Sequence, residues 1–167
     1  MSEVAARVDA QIMAAFVDLV DLPRLERAAK LTLEHELQRG SFAVSLFVCD
    51  DATIAELNEQ YLRHSGPTDV ISFPLATPAA EIHFPDDPEG ARQLGDVVIS
   101  YERAVAQAAE YRLAPMSEVT LLFVHGLLHL LGYGDYTDEE RQEMQRRAEV
   151  IVARVDAMGL SRGDSTP

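Results

Sequence analysis

Two histidines four residues apart, His125 and His129, followed by a glycine at 132 and an aspartate at 135, have the types and spacing that suit metal chemistry in this 167-residue chain. On a helix, side chains at i and i+4 share one face with Cβ atoms about 5–6 Å apart, a separation from which two imidazoles reach one ion. The surrounding segment, LLFVHGLLHLLGY, is apolar almost all round and predicts a buried helix. Burial disfavours the imidazolium and leaves neutral rings with a lone pair to donate. Gly132 follows the last helical leucines, where a left-handed residue ends a helix and turns the chain back. Three residues on, Asp135 is a carboxylate that such a turn brings toward the same ion. His125, His129 and Asp135 are therefore the expected ligands of one divalent cation, Zn2+ by their donor chemistry. The plainer alternative is two core histidines with local hydrogen bonds and Asp135 as a helix cap.

The spacing H-x3-H-x2-G-x2-D matches the metzincin-like arrangement, in which two helical histidines and a ligand beyond a glycine turn hold zinc. Three protein ligands leave a fourth position for water, the mark of a catalytic rather than a structural site. Gly126 separates this chain from the H-E-x-x-H zinc proteases, whose glutamate after the first histidine serves as general base. Here that position has no side chain, which weakens the reading as a minimal zinc metalloprotease without removing it.

The elements that must position these residues are legible in the periodicity. Apolar residues from Leu22 to Leu37 form a helical stripe, with Pro23 near its start and Gly40 past its end, and predict a helix over Leu22–Gln38. FAVSLFV at 42–48, DVISF at 69–73 and DVVISY at 96–101 predict strands. Asp51–Leu62, Tyr101–Tyr111, Ser117–Leu131 and Thr137–Ala157 predict helices, the last opened by a capping box of Thr137 and Glu140. VAARVDAQIMAAFV is ambiguous by periodicity alone. Pro74–Gln93, with four prolines, predicts a long surface loop. Gly95 and Asp96 suit a turn, and Thr68 and Asp69 the start of a strand. The order implies an α+β fold, a sandwich of sheet and helices with the metal site on a buried central helix. One domain over residues 1–160 is expected, with 161–167 as a flexible tail.

Composition narrows the class. No apolar run reaches the roughly 18 residues that span a bilayer, and the start lacks a signal-peptide pattern, so a cytoplasmic protein without membrane partners is expected. Cys49, the single cysteine, ends an apolar stretch and is expected to be a buried, inert thiol. Net charge is −14. That opposes indiscriminate nucleic-acid binding, which depends on basic residues displacing counterions. An RNA substrate would have to meet a local basic or metal-centred site, or be delivered by a partner.

Four segments together, LNEQY at 57–61, PTDVISFP at 67–74, LGDVVIS at 94–100 and VHGLLHLLGY at 124–133 followed by TDEE and Met144, resemble the YbeY family of endoribonucleases. That resemblance implies an α+β fold with a small mixed β-sheet packed with helices, and a first strand near Val4–Asp9. It further implies metal-dependent cleavage of single-stranded RNA in ribosomal RNA maturation and ribosome quality control, with ribosomal RNA precursor, the ribosome or its assembly proteins as partners. A non-catalytic ribosome-assembly factor with a structural metal is the other alternative. Two departures stand out. Members usually read GYDH where this chain reads GYGD, which places Asp135 at the family's third histidine ligand, with Asp138 and the 74–93 segment as competing sources of that ligand. The arginine that commonly follows the LN-x-x-Y aromatic aligns with Leu62, so Arg63, one position along, is the candidate for substrate binding. His35, His64 and His83 have no ligand spacing.

Overall fold

The computed structural model describes residues 4–62, 66, 68–74 and 90–163, with the side chains of 159–163 left aside. Four strands form one mixed sheet in the order β1-β2-β4-β3: β1 Val4–Ile12, β2 Gly40–Cys49, β3 Val70–Pro74 and β4 Arg92–Ser100. β1 and β4 both run parallel to β2, and β3 closes the edge antiparallel to β4. The architecture is the expected α+β one. The N-terminal segment that periodicity left ambiguous is a strand in register with β2 from Val4↔Gly40 to Ile12↔Val48.

Five helices join and cover the strands: α1 Leu22–His35, α2 Asp51–Leu57, α3 Tyr101–Glu110, α4 Pro115–Leu130 and α5 Asp138–Gly163. Their starts follow from side chains that satisfy the first free amide groups. Asp21 accepts from the Arg24 amide, Asp50 from Thr53 and Ser100 from Arg103. The Thr137–Glu140 capping box forms in both directions, each amide donating at 3.1 Å to the other's side chain. α1, α4 and α5 pack on one another, α1 lies against β1, and α4 lies against β3 and β4. This side holds the main core, including Leu25, Val97, Phe123, Leu127, Leu128 and Ile151, all fully buried. A smaller cluster of Cys49, Ile54, Ile71 and Val98 forms the second. No single helix among the described residues is long and apolar enough to cross a membrane.

Several boundaries differ from the sequence-based expectation. α1 stops at His35, three residues early, because the exposed Leu37 adopts a left-handed backbone at φ 59°. The helix from Asp51 keeps its regular form only to Leu57 and widens into a π-helical turn over Asn58–Leu62. α5 runs on to Gly163. β4 begins at Arg92 rather than at 96: Arg92 and Gln93, polar enough to read as loop, pair with Phe42 and Ala43, and the Arg92 guanidinium sits over the Phe42 ring. Gly95 is not a turn. It lies inside β4 where the pairing with β2 shifts register, at φ 139°, and a Cβ there would stand 2.4 Å from the Phe73 carbonyl oxygen. A glycine is what such a bulge with close backbone approach requires. Most of the 74–93 segment, with His83, lies outside the described residues.

Candidate functional site

α4 ends as the sequence implies. Gly132 takes φ 110°, its amide donates to the His129 carbonyl and the Tyr133 amide to the Leu128 carbonyl, a left-handed helix stop. The reversal carries Asp135 back over the helix end, so Asp135 Oδ2 stands 3.4 Å from His129 Nε2. His129 Nδ1 lies 3.0 Å from the Tyr133 carbonyl oxygen. A carbonyl only accepts, so Nδ1 carries the proton and Nε2 is the nitrogen that faces the Asp135 carboxylate. An imidazole nitrogen and a carboxylate at this distance are joined by a proton or by a cation. Two ligands bonded at about 2.0–2.1 Å to one tetrahedral ion stand about 3.3–3.4 Å apart, so this edge fits a zinc-like ion.

His125 is placed differently. Its Nε2 meets Gln145 Oε1 of α5 at 2.9 Å, and Gln145 Nε2 donates in turn to Glu149. Among the described residues no three His, Cys, Asp or Glu side chains converge closely enough to hold an ion. The structure thus brings His129 and Asp135 together, while His125 lines the same cavity with its Nε2 on Gln145. Burial is the main reason that His125 sits below the ordinary imidazole range, which keeps the ring neutral; the Gln145 hydrogen bond works against this. Neither histidine is fully buried, as the apolar run around them suggested. Both face a cavity of about 360 Å³ between α4 and α5, lined also by Asp135, Arg141, Met144 and Gln145.

Around the turn lies a network that sequence reasoning missed. The Tyr133 hydroxyl donates to Glu36 Oε1 at 2.5 Å, Arg147 Nη1 donates to Glu36 Oε2 at 2.9 Å, and the Arg147 guanidinium stacks 5.0 Å from the Tyr133 ring centroid. Burial alone would raise the Glu36 carboxyl, but hydrogen bonds from Tyr133 and His35 together with Arg147 hold it below the ordinary glutamate range. The carbonyl that orients His129 is therefore anchored to α1 and α5. His35 belongs to this network. Arg141 was also missed: its Nη1 donates to the Asp135 carbonyl at 2.9 Å and its Nη2 pairs with Asp138. Asp138 is thus engaged with Arg141. The capping box that opens α5 was a usable signal for Arg141, since it fixes which turn of α5 faces the cavity. Arg63 and His64 lie outside the described residues. Cys49 is fully buried and its thiol is pushed up to about 12, mainly by burial, so it is inert at neutral pH.

Gly126 packs against the sheet. A Cβ there would stand 2.7 Å from Val97 Cγ1 and 3.2 Å from Ser72 Oγ, and Ser72 donates to the Gly126 carbonyl. A glutamate at 126 would point into β3 and β4, away from the cavity, so the protease-type base is absent for a steric reason.

A sequence model of the family Endoribonuclease YbeY matches residues 18–156. The chain belongs to the YbeY family. The endoribonuclease YbeY of Roseiflexus sp. (strain RS-1) is 39% identical over 163 residues, covering 97% of this chain and 99% of the relative. That of Carboxydothermus hydrogenoformans is 41% identical over 146 residues, covering 87% and 92%. The solution structure of a Thermotoga maritima protein aligns over 97% of this chain and 96% of its own with a TM-score of 0.60, at 22% identity. That likeness bears on the fold alone.

Proposed function

We propose that this YbeY-family chain is a metal-dependent, single-strand-specific endoribonuclease of the cytoplasm, acting on ribosomal RNA precursor in ribosome maturation and quality control. One divalent ion, Zn2+ by donor chemistry, is held by His125, His129 and Asp135. The observation that carries the metal is His129 Nε2 facing the Asp135 carboxylate at 3.4 Å. Membership of a family named for endoribonuclease activity supports the RNA substrate. When bound, the ion supplies Lewis acidity toward a phosphate oxygen and makes a coordinated water more acidic.

The chain's own residues do the rest. The Tyr133 carbonyl fixes the tautomer of His129, a partner shell that orients a ligand. Gln145 releases His125 by turning its amide away. Arg141 presents a guanidinium at the cavity wall, where it can hold a phosphate oxygen; its pair with the exposed Asp138 is weak enough to be exchanged. Arg63, which follows α2 in sequence, is the second residue proposed to bind substrate. With a net charge of −14, long RNA gains little from the surface at large, and delivery by the ribosome or an assembly protein supplies the encounter. Asp135 in place of an imidazole lowers the charge of the site by one unit.

The test is metal content with cleavage of single-stranded and duplex RNA, with and without chelator, on wild type, Asp135→Ala and Asp135→His. One zinc per chain, chelator-sensitive cleavage confined to single strands, loss of metal in Asp135→Ala and retention in Asp135→His are expected. A full complement of zinc in Asp135→Ala would remove Asp135 from the site, and unchanged cleavage under chelation would remove the metal from the reaction.

A further inference from the structure

A second cavity, of about 480 Å³, adjoins the first and shares His125 and Gln145 with it. Its volume is in the range of small-molecule sites. The wall is rich in hydrogen-bond acceptors and short of donors. One N–H of the Gln107 amide goes to Asp69 at 3.3 Å, and one of the Gln145 amide to Glu149 at 3.0 Å. What remains is Glu118 of α4, only 5% exposed, which lines this cavity without a hydrogen bond from any described residue. Burial, then the charge of Asp69, push the Glu118 carboxyl above the ordinary range. A largely buried carboxyl that opens only onto the cavity is reached there by water or by a ligand that brings donors. The mouth is apolar: Tyr111 and Leu113 are 67% and 50% exposed and flank Arg112, which holds a left-handed backbone at φ 57°.

Resting on the RNA-cleavage reading above, we propose that this cavity is a base subsite that takes a guanine of single-stranded RNA, with Glu118 receiving its Watson–Crick edge and Tyr111 its ring. Guanine alone among the four bases offers two adjacent donors on that edge, N1–H and N2–H, matched to the two oxygens of one carboxylate. Adenine and cytosine would set a ring acceptor against Glu118, and uracil places its single N–H between two carbonyls. An exposed aromatic at the mouth suits a splayed base, the usual target of single-strand recognition. Sharing His125 places the subsite beside the proposed reacting phosphate.

The test uses the full-length protein as purified and four fluorescein-labelled pentaribonucleotides, uridines with one variable central base, measured by anisotropy at physiological salt with probe integrity checked on a gel. The guanine probe should bind roughly tenfold tighter than the other three. Glu118→Gln should bring it down to their level, and Tyr111→Ala, at an exposed position that does not threaten folding, should weaken it severalfold. Equal affinity for all four probes, or a guanine preference that survives Glu118→Gln, would overturn the subsite and leave the nuclease reading standing. Binding of none of the probes, together with no cleavage of long single-stranded RNA, would overturn both.

Discussion

Replacing Gly126 by alanine tests the link between helix packing and the site with a sign that simple helix propensity gets wrong. The new Cβ would stand 2.7 Å from Val97 Cγ1 and 3.0 Å from Cγ2, where ordinary contact begins at 3.4 Å. α4 or β4 must therefore yield by about 0.7 Å (3.4 less 2.7). Val97 is β-branched and fully buried, so rotating it away is not open to it. Overpacking of this kind costs about 1–3 kcal/mol, against a gain of about 1 kcal/mol for alanine over glycine inside a helix. The net is a destabilisation of up to about 2 kcal/mol, read as a fall in Tm of about 2–4 °C per kcal/mol at this chain length. His125 is the adjacent residue and His129 lies one turn on, so the retreat also displaces both imidazoles, and cleavage should fall further than the small unfolded fraction explains. Thermal and urea denaturation beside an RNA cleavage assay would decide it. A Gly126→Ala protein more stable than wild type by the propensity gain would show that the space is there and that Gly126 is not held by the sheet.

Arg141→Ala should lower cleavage at subsaturating RNA about tenfold with zinc content unchanged; loss of zinc instead would assign Arg141 to holding Asp135 rather than substrate. Glu36 is held below its ordinary value, so it contributes stability above about pH 4.5 that is lost as the pH falls through its folded-state value. Glu36→Gln should flatten the acid limb of a stability–pH curve, and an unchanged limb would remove Glu36 from the account. Glu118 shifts the other way, so stability is lost as pH rises through its folded-state value. Glu118→Gln should therefore raise Tm at pH 7 with the advantage shrinking toward pH 4; a variant less stable than wild type at pH 7 would show that the carboxylate has a donor after all.

Local signals carried much of the fold. Asp50, Ser100 and Thr137 cap the helices they precede in sequence, and the apolar runs at 42–48 and 96–100 are strands, covered by the main core on one face and by the smaller cluster on part of the other. Leu37 escaped because nothing in a leucine announces a left-handed backbone. Arg92 escaped because its aliphatic stem and guanidinium pack on Phe42, a contact invisible to polarity counts. At the site, the His-x3-His spacing and Gly132 gave the helix and its turn. The partners that decide which nitrogen faces the cavity come from residues far away in sequence. Gln145 is 20 positions from His125, and Glu36 is 97 from Tyr133, so no local pattern reports them.

That distance matters for how the two imidazoles differ. His129 is oriented by a carbonyl whose own residue is fastened at the ring by Arg147 and at the hydroxyl by Glu36, so α1, α5 and the turn all act on one nitrogen. His125 is oriented by a single amide that α5 can withdraw. A preorganised edge of His129 and Asp135 with a third donor behind a movable glutamine sets an order of assembly. In the proposed site a cation would first meet the fixed pair, and His125 would join it once the Gln145 amide, which is hydrogen-bonded to both His125 and Glu149, turned off the ring. Gln145 and Glu149 also line the neighbouring cavity, so the side chain that would have to move to complete the proposed metal site is the one that borders the second. A base seated against Glu118 and an ion seated between His129 and Asp135 would thus both bear on the position of Gln145, which couples occupancy of the two cavities through one rotamer.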